Sequence, residues 1–320
     1  MPLTQFQVFS QYAYTAFLEL LAQNVALFNT ASRGGIVLRS AANQGDFADE
    51  VFYARIAGLI RRRDAYGDTD VAEKDIEQLL KTTVKVAAGT PPVRIDPHMW
   101  QWIQRSPEEA GVVIGKQLAE ETMQDMLNTG IRAFVSAISN VGATVVYDAA
   151  AATANLRALN KGAALFGDRA QAIVAWVMHS KVLHDIFDTS LANAERLFQF
   201  GNVQVVSDGF GRPLIVTDCA DLFNATPTPD EYRTLGLVPG AILLEQNNDF
   251  LENLETKNGG ENIRRTWQAQ WSYNLGVKGF SWDKANGGAS PTNAALATGS
   301  NWDRNATSVK DLAGVIVETQ

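Results

Sequence analysis

The amino-acid sequence predicts an α+β fold, and three observations carry that reading. One amphipathic run of about nine helical turns follows Ser106. Hairpin signals lie between Val203 and Thr217. Short β-like runs recur in the last quarter, at 241–245, 271–282 and 312–317. Helices and antiparallel strands kept apart along the chain define the α+β class.

The long helix is the best-signed element. Ser106-Pro107-Glu108-Glu109 places a serine at the N-cap, a proline at the first helical position and a glutamate at the third, a capping-box arrangement. Val112, Val113, Leu118, Ala119, Met123, Met126, Leu127, Ile131, Phe134, Val135 and Ile138 follow close to a 3.6 period. Roughly 33 residues give a helix of about 50 Å, wide for one compact domain of this size. Gly130 inside it is a candidate hinge, costing about 1 kcal/mol relative to alanine. Close helix packing is the competing reason for a glycine there.

Before that helix the chain changes character twice. Residues 4 to 30 carry Phe6, Phe9, Tyr12, Tyr14, Phe17, Leu18, Leu20, Leu21, Val25, Leu27 and Phe28, with no charge except Glu19. This reads as an apolar helix that docks. Gly34-Gly35 opens a short strand, Ile36 to Arg39, followed by a polar excursion with Gln44-Gly45-Asp46, then Arg61-Arg62-Arg63-Asp64 and an acidic stretch of Asp68, Asp70, Glu73, Asp75 and Glu77. Lys81 to Ala88 returns as a strand before Pro91-Pro92, so the two strands predict an extended, projecting hairpin. Residues 30 to 105 are poor in core-forming runs, and the leading third of the chain is expected to gain order only against neighbouring copies.

After the long helix, Val141 to Tyr147 is β-like, and an alanine-rich segment ends at Asn160-Lys161-Gly162. Residues 168–187 read as a helix, and 191–200 as a second one ended by Gly201. Val203–Ser207 and Pro213–Thr217 flank the turn Asp208-Gly209-Phe210-Gly211.

Composition bounds the function. With 320 residues, 46% of them hydrophobic, the chain can bury a sizeable core. A net charge of -8 argues against a surface made to wrap nucleic acid. Cys219 is the sole cysteine, which excludes a disulfide framework within the chain and suits a reducing place of assembly. The first basic residue is Arg33, so the start lacks the charged region of a secretory signal. No run approaches the roughly 18 to 20 apolar residues of a spanning helix. A soluble chain is expected.

The residues give no catalytic set, no metal site and no cofactor site. His179 and His184 are five apart, about 140° around a helix, and do not share a face as HExxH ligands do. Ser180 beside His179 lacks a G-x-S-x-G elbow. Gly162 to Gly167 has phosphate-loop glycine spacing, yet Asp168 stands where the lysine belongs. Arg61, Arg62 and Arg63 are either a solvated face or a set that pairs with an acidic patch on a neighbouring subunit. Trp100 and Trp102 are the other inter-subunit contact candidates, because tryptophan concentrates where contact is buried.

The order of elements resembles that of the major capsid proteins of tailed bacteriophages, the Hong Kong 97-type capsid fold. Ile173-Val-Ala-Trp-Val-Met-His-Ser180 is similar to that family's apical-domain helix. Gly211-Arg-Pro-Leu-Ile-Val-Thr-Asp218 resembles the strand that follows, and Trp271-Ser-Tyr-Asn-Leu-Gly-Val-Lys-Gly-Phe-Ser-Trp282 the segment leaving the apical region.

The resemblance implies an N-terminal arm over 1–33, an extended loop over 34–95, a peripheral domain with the spine helix over 96–140 and 285–320, and an axial domain over 141–284. It implies self-assembly into pentamers and hexamers of an icosahedral shell that encloses double-stranded DNA without sequence-specific binding. Portal and scaffolding proteins are implied as partners and a decoration protein as an optional one, with no membrane, in a virion assembled in the host cytoplasm. Two alternatives stay open: an encapsulin-like cellular nanocompartment shell, and an α+β hydrolase using His179 or His184 with Asp185.

Overall fold

The computed structural model describes residues 2–40, 45–53, 60–76, 78–189, 195–200, 203–207, 212–226 and 229–320. Gln44, Glu77, residues 191–194, Gly201 and the turn Asp208 to Gly211 lie outside the described residues.

Helix α1, Pro2–Ala31, docks on the long helix of the same chain. Its apolar stripe, Phe9, Ala13, Phe17, Leu21 and Phe28, is buried. After Gly34-Gly35 come β1 (Ile36–Ser40) and β2 (Phe47–Tyr53), then β3 (Gln78–Gly89) and β4 (Val93–Ile95). Helix α2, Pro97–Arg105, runs into α3, Pro107–Val141, the predicted long helix at 35 residues and roughly 52 Å. Ser106 closes α2 by donating its N–H to the Trp102 carbonyl, and its own carbonyl accepts from Ala110. Its side chain makes no cap hydrogen bond, so of the expected capping box only the positions are present.

Small residues let α1 approach α3 at backbone distance. A Cβ on Gly111 would stand 2.7 Å from the Phe9 carbonyl oxygen, and one on Gly115 would stand 2.5 Å from that of Ala13. Any larger side chain there would force the helices apart. This corrects the expectation that the whole leading third needs neighbouring copies, because residues 2–31 find their surface within the chain.

Beyond α3 the chain forms β5 (Val146–Ala149), α4 (Leu156–Ala164), β6 (Ala175–Met178), α5 (Ser180–Thr189), β7 (Glu195–Phe200), β8 (Val203–Ser207), β9 (Pro213–Val216), β10 (Phe223–Asn224) and β11 (Glu231–Leu237). It then returns through β12 (Ile242–Gln246), β13 (Leu251–Lys257), β14 (Arg264–Val277) and β15 (Phe280–Trp282). The short α6 (Asn293–Leu296), β16 (Trp302–Arg304) and β17 (Gly314–Thr319) finish it.

Two sheets share the core with α3. The first has the order β1-β12-β14-β3-β2, with β13 and β4 also paired to β14. Its inner face buries Ile242, Leu244, Tyr273, Leu275 and Val277. The Tyr273 hydroxyl lies 3.0 Å from both Asp125 Oδ2 and Thr129 Oγ1 of α3, and burial pushes its pKa up. The second sheet has the order β5-β17-β11-β6-β9-β8-β7. The chain leaves it after Leu237 and comes back only with β17, so residues 242–277 share a sheet with the hairpin strands.

Three local expectations are corrected. Strand β1 is not a leg of the hairpin: its alternation buries Ile36 and Leu38, and it pairs in parallel with β12. The leg opposite β3 is β2, with Phe47 facing Val84 and Tyr53 facing Gln78. The apolar run Ile173 to Met178 is not helical. Its core is β6, buried on both faces between β11 and β9, and the helix begins only at Ser180. The described part of the expected helix 191–200 is β7, antiparallel to β8.

A polar ladder on the outer face of the first sheet ties its strands together. Arg39 of β1 pairs with Glu245 of β12, and Asn247 Nδ2 donates to Ser272 Oγ at 2.9 Å. The Ser272 N–H donates to Asp249 Oδ1 at 2.9 Å, and Lys85 of β3 lies 3.7 Å from Asp249. Asn247 and Ser272 are buried, and a buried polar pair of this kind fixes strand register.

Gly115→Val should cost about 1–3 kcal/mol through overpacking. Thermal unfolding of the isolated chain should show a lower Tm, and an unchanged Tm would mean that α1 is not seated on α3.

Candidate assembly interface

Past the paired part of β2 and β3, residues 60–76 form no helix or strand, and every one is exposed. Ile60 is 94% exposed and Tyr66 is 100% exposed, with Val71 and Ile76 further along. Arg61, Arg62 and Arg63 stand between the first two, on the surface. The Asp64 carboxylate accepts the Tyr66 N–H at 3.0 Å, a local turn. The base of the hairpin is well held: Asp49 of β2 accepts from Lys284 Nζ at 2.6 Å and from Thr82 Oγ1 at 2.8 Å, which hold its carboxyl below the usual range.

The two tryptophans sit elsewhere. Trp100 is only 6% exposed, packed with Phe9, Ile103 and Ala110 where α1, α2 and α3 meet. The Arg265 guanidinium lies over its ring, 4.4 Å from the centroid. Trp102 is half-buried against the same cluster. In the single chain Trp100 therefore has little surface to offer a neighbour. The structure brings neither tryptophan to the arginine triplet. Nor did the sequence mark the exposed Ile60 and Tyr66 as surface, because single apolar residues in a polar stretch carry no period.

Gly130 lies mid-helix in α3, buried, and the helix runs through it without interruption. A Cβ there would stand 2.8 Å from Ile242 Cγ2 and 3.3 Å from Leu244 Cδ1 of β12. The glycine thus has a packing reason in the subunit.

The residues of the hydrolase alternative do not meet as a catalytic set. The Ser180 N–H donates to Asp218 Oδ1 at 3.1 Å, and the Ser180 hydroxyl also bonds Asp218, lowering that carboxyl's pKa. His179 Nδ1 accepts the Lys181 N–H at 3.2 Å, and its Nε2 lies 3.5 Å from Asp218. The hydroxyl is thus bonded to the acid rather than the base, which caps α5 instead of activating a nucleophile. Asp185 accepts from Lys181 Nζ at 2.8 Å, and His184 is exposed. Among the described residues no cluster of histidine, cysteine and carboxylate side chains could hold a metal ion. No described helix is long and apolar enough to cross a membrane. A polar cavity of about 560 Å³ lies between α3, β11 and residues 297–300, lined in part by the Arg132–Asp221 ion pair.

A family model described as Gp13-like, major capsid protein 13-like, matches residues 5–316. The chain belongs to the Gp13-like family of major capsid proteins. The structure is similar to the capsid asymmetric unit of cyanophage Pam1, with a TM-score of 0.50 at 11% identity over 89% of this chain and 88% of that chain. It is also similar to the head structure of Helicobacter pylori bacteriophage KHP40, with a TM-score of 0.48 at 12% identity over 90% of this chain and 88% of that one. No curated protein matches the sequence. The fold is the α+β, Hong Kong 97-type fold of phage capsids. As a Gp13-like major capsid protein the chain is a structural component of the virion, and its copies associate into the capsid shell.

Two predictions follow from these surroundings. Gly130→Ala gains about 1 kcal/mol of helix propensity but overpacks β12 by about 1–3 kcal/mol, so chemical denaturation should show a net loss. A stabilised subunit with malformed shells would favour the hinge. Burial pushes the Cys219 thiol up to about 11. Iodoacetamide at pH 8 should therefore label it only after unfolding. The unfolded thiol ionises first, so stability should fall as pH rises from about 9 towards 11.

Proposed function

We propose that this capsid protein closes as pentamers and hexamers into an icosahedral shell around double-stranded DNA, assembled in the host cytoplasm with portal and scaffolding proteins. The observation that carries the reading is the excursion at residues 60–76, held at its base and exposed at every one of those residues. Exposed isoleucine and tyrosine beside three arginines offer both apolar and charged contact to a second surface. A neighbouring copy supplies it, so the tip of the expected 34–95 loop lies over the adjacent subunit. Arg61, Arg62 and Arg63 contact that neighbour, and Trp102 contributes at the helix junction.

Residues 1–33 remain the arm, 96–140 and 285–320 the peripheral region and 141–284 the axial region of this proposal. Each copy meets several others, so the total contact area exceeds one standard interface of about 1,600 Å². Many modest contacts then hold the shell through avidity. The net charge of -8 keeps the wall from sticking to its cargo, and the proposed DNA contact has no sequence specificity.

Electron microscopy of the concentrated protein, with and without a scaffolding protein, tests this. Closed particles or sheets with five-fold and six-fold units are expected, with nucleic acid inside particles taken from infected cells. Enzyme cargo in place of DNA would favour a nanocompartment, and a strictly monomeric protein would overturn the proposal. Replacing residues 60–76 by a short glycine-serine linker should leave a folded chain that forms no closed shells.

A further inference from the structure

The tripeptide Asn-Gly-Gly occurs twice in the chain, at 258–260 and at 286–288, and the fold treats the two copies differently. The first lies at the tip of the β13–β14 hairpin. The ladder ends where Lys257 faces Arg264, and every residue from 258 to 263 is exposed and outside any helix or strand. Gly259 stands at a φ of +96°, with open space where a Cβ would be. Among the described residues neither the Asn258 carboxamide nor the Gly259 N–H has a hydrogen-bond partner.

The second copy follows β15 and is tied down. The Gly287 N–H donates to the Asp283 carbonyl at 2.9 Å, and the Asn286 N–H donates to Asp283 Oδ1 at 3.3 Å. The Asn286 carboxamide donates to Asp283 Oδ2. Gly287 is pressed against the buried Trp282, and an added Cβ would collide with that ring. Asn286 is exposed like Asn258, so access to water does not separate the two copies. The difference is how each following glycine is held.

We propose that Asn258 is a site of self-modification, converting through a cyclic imide to aspartate and isoaspartate, while Asn286 is kept as the amide. The Gly259 backbone nitrogen attacks Asn258 Cγ. The N–Cγ bond forms, the Cγ–Nδ2 bond breaks, and ammonia leaves with the Gly259 amide hydrogen. Water then adds to one of the two imide carbonyls and opens the ring, leaving one carboxylate. A glycine after the asparagine permits the attack, because no Cβ blocks the nitrogen and the backbone adopts the conformation the ring requires without strain. The tip reaches that conformation readily, since few contacts hold it. At 287 the same nitrogen must first give up its hydrogen bond and leave Trp282.

The conversion changes the electrostatics of the tip. Between 255 and 265 three cations, Lys257, Arg264 and Arg265, stand against Glu255 and Glu261. One new carboxylate evens that balance. The isoaspartyl product also routes the main chain through the former side-chain carbonyl, which adds a methylene to the turn. Older copies of the chain thus differ from new ones at an exposed hairpin tip.

The test holds the folded, full-length protein at pH 8 and follows both tripeptides over time by peptide mass spectrometry. Conversion adds one mass unit, and fragmentation separates aspartate from isoaspartate. Asn258 should convert at least about tenfold faster than Asn286, a barrier difference of ~1.4 kcal/mol. In denaturant the two rates should converge, because the flanking glycines are the same. Asn258→Gln should remove most of the acidic variants that ageing produces on isoelectric focusing. Equal rates in the folded chain, rates that stay apart in denaturant, or acidic variants that still form at the wild-type rate in Asn258→Gln would each overturn the inference.

Discussion

Everything in this subunit depends on how closely other elements approach one helix. Helix α3 is roughly 52 Å long, and its contact positions are stripped of side-chain bulk. Gly111 and Gly115 admit the backbone of α1, Gly130 admits Ile242 and Leu244 of β12, and Ala133 and Ala137 are fully buried in the core further along. Gly299 returns the favour from the other side, its backbone pressed against the Ser136 carbonyl and Asn140. A helix longer than an ordinary domain is sustained because each stretch of it serves a different layer. Two sheets and a second helix thereby share a single axis.

That arrangement satisfies the subunit's interior and leaves one extension unsatisfied. The base of the hairpin is tied into the first sheet by the β2–β3 ladder, by Asp49 with Lys284, and by the polar row from Arg39 to Lys85. Beyond the ladder, residues 60–76 carry exposed side chains of mixed kind. A rigidly based, uncovered tip is a poor feature for a lone protein and a useful one for a protein that must grip its copies at repeated angles. The capsid role follows from family membership, and the hairpin gives it a physical means.

The sequence was legible where period and length agreed. Helix α3, the docking character of residues 4–30, β12, the β8–β9 pair and β17 all carried clear signals. Ile173 to Met178 did not: a short unbroken apolar run fits a strand buried on both faces as well as a helix, and tertiary pairing with β9 and β11 decided it. Strand β2 was missed because Asp49 and Glu50 hide its alternation; Asp49 is bonded by Thr82 and Lys284, and Glu50 faces solvent opposite Lys81. The spacing of Gly111 and Gly115 was visible in the sequence, but a glycine pair has no meaning until the partner backbone is known. The arginine triplet was legible as a contact candidate, whereas Val112 and Val113 of α3, exposed in the structure, looked like core because they keep the helical period.

Hydrogen exchange measured by mass spectrometry, on the same protein dilute and in particles, addresses the central claim most directly. In both states residues 2–31 should exchange slowly, being seated on α3. Residues 60–76 should exchange fast in the dilute chain and slowly in the particle. Rapid exchange over 2–31 in the dilute chain, or an unprotected 60–76 in the assembled shell, would contradict a subunit complete at its core and unfinished at its hairpin.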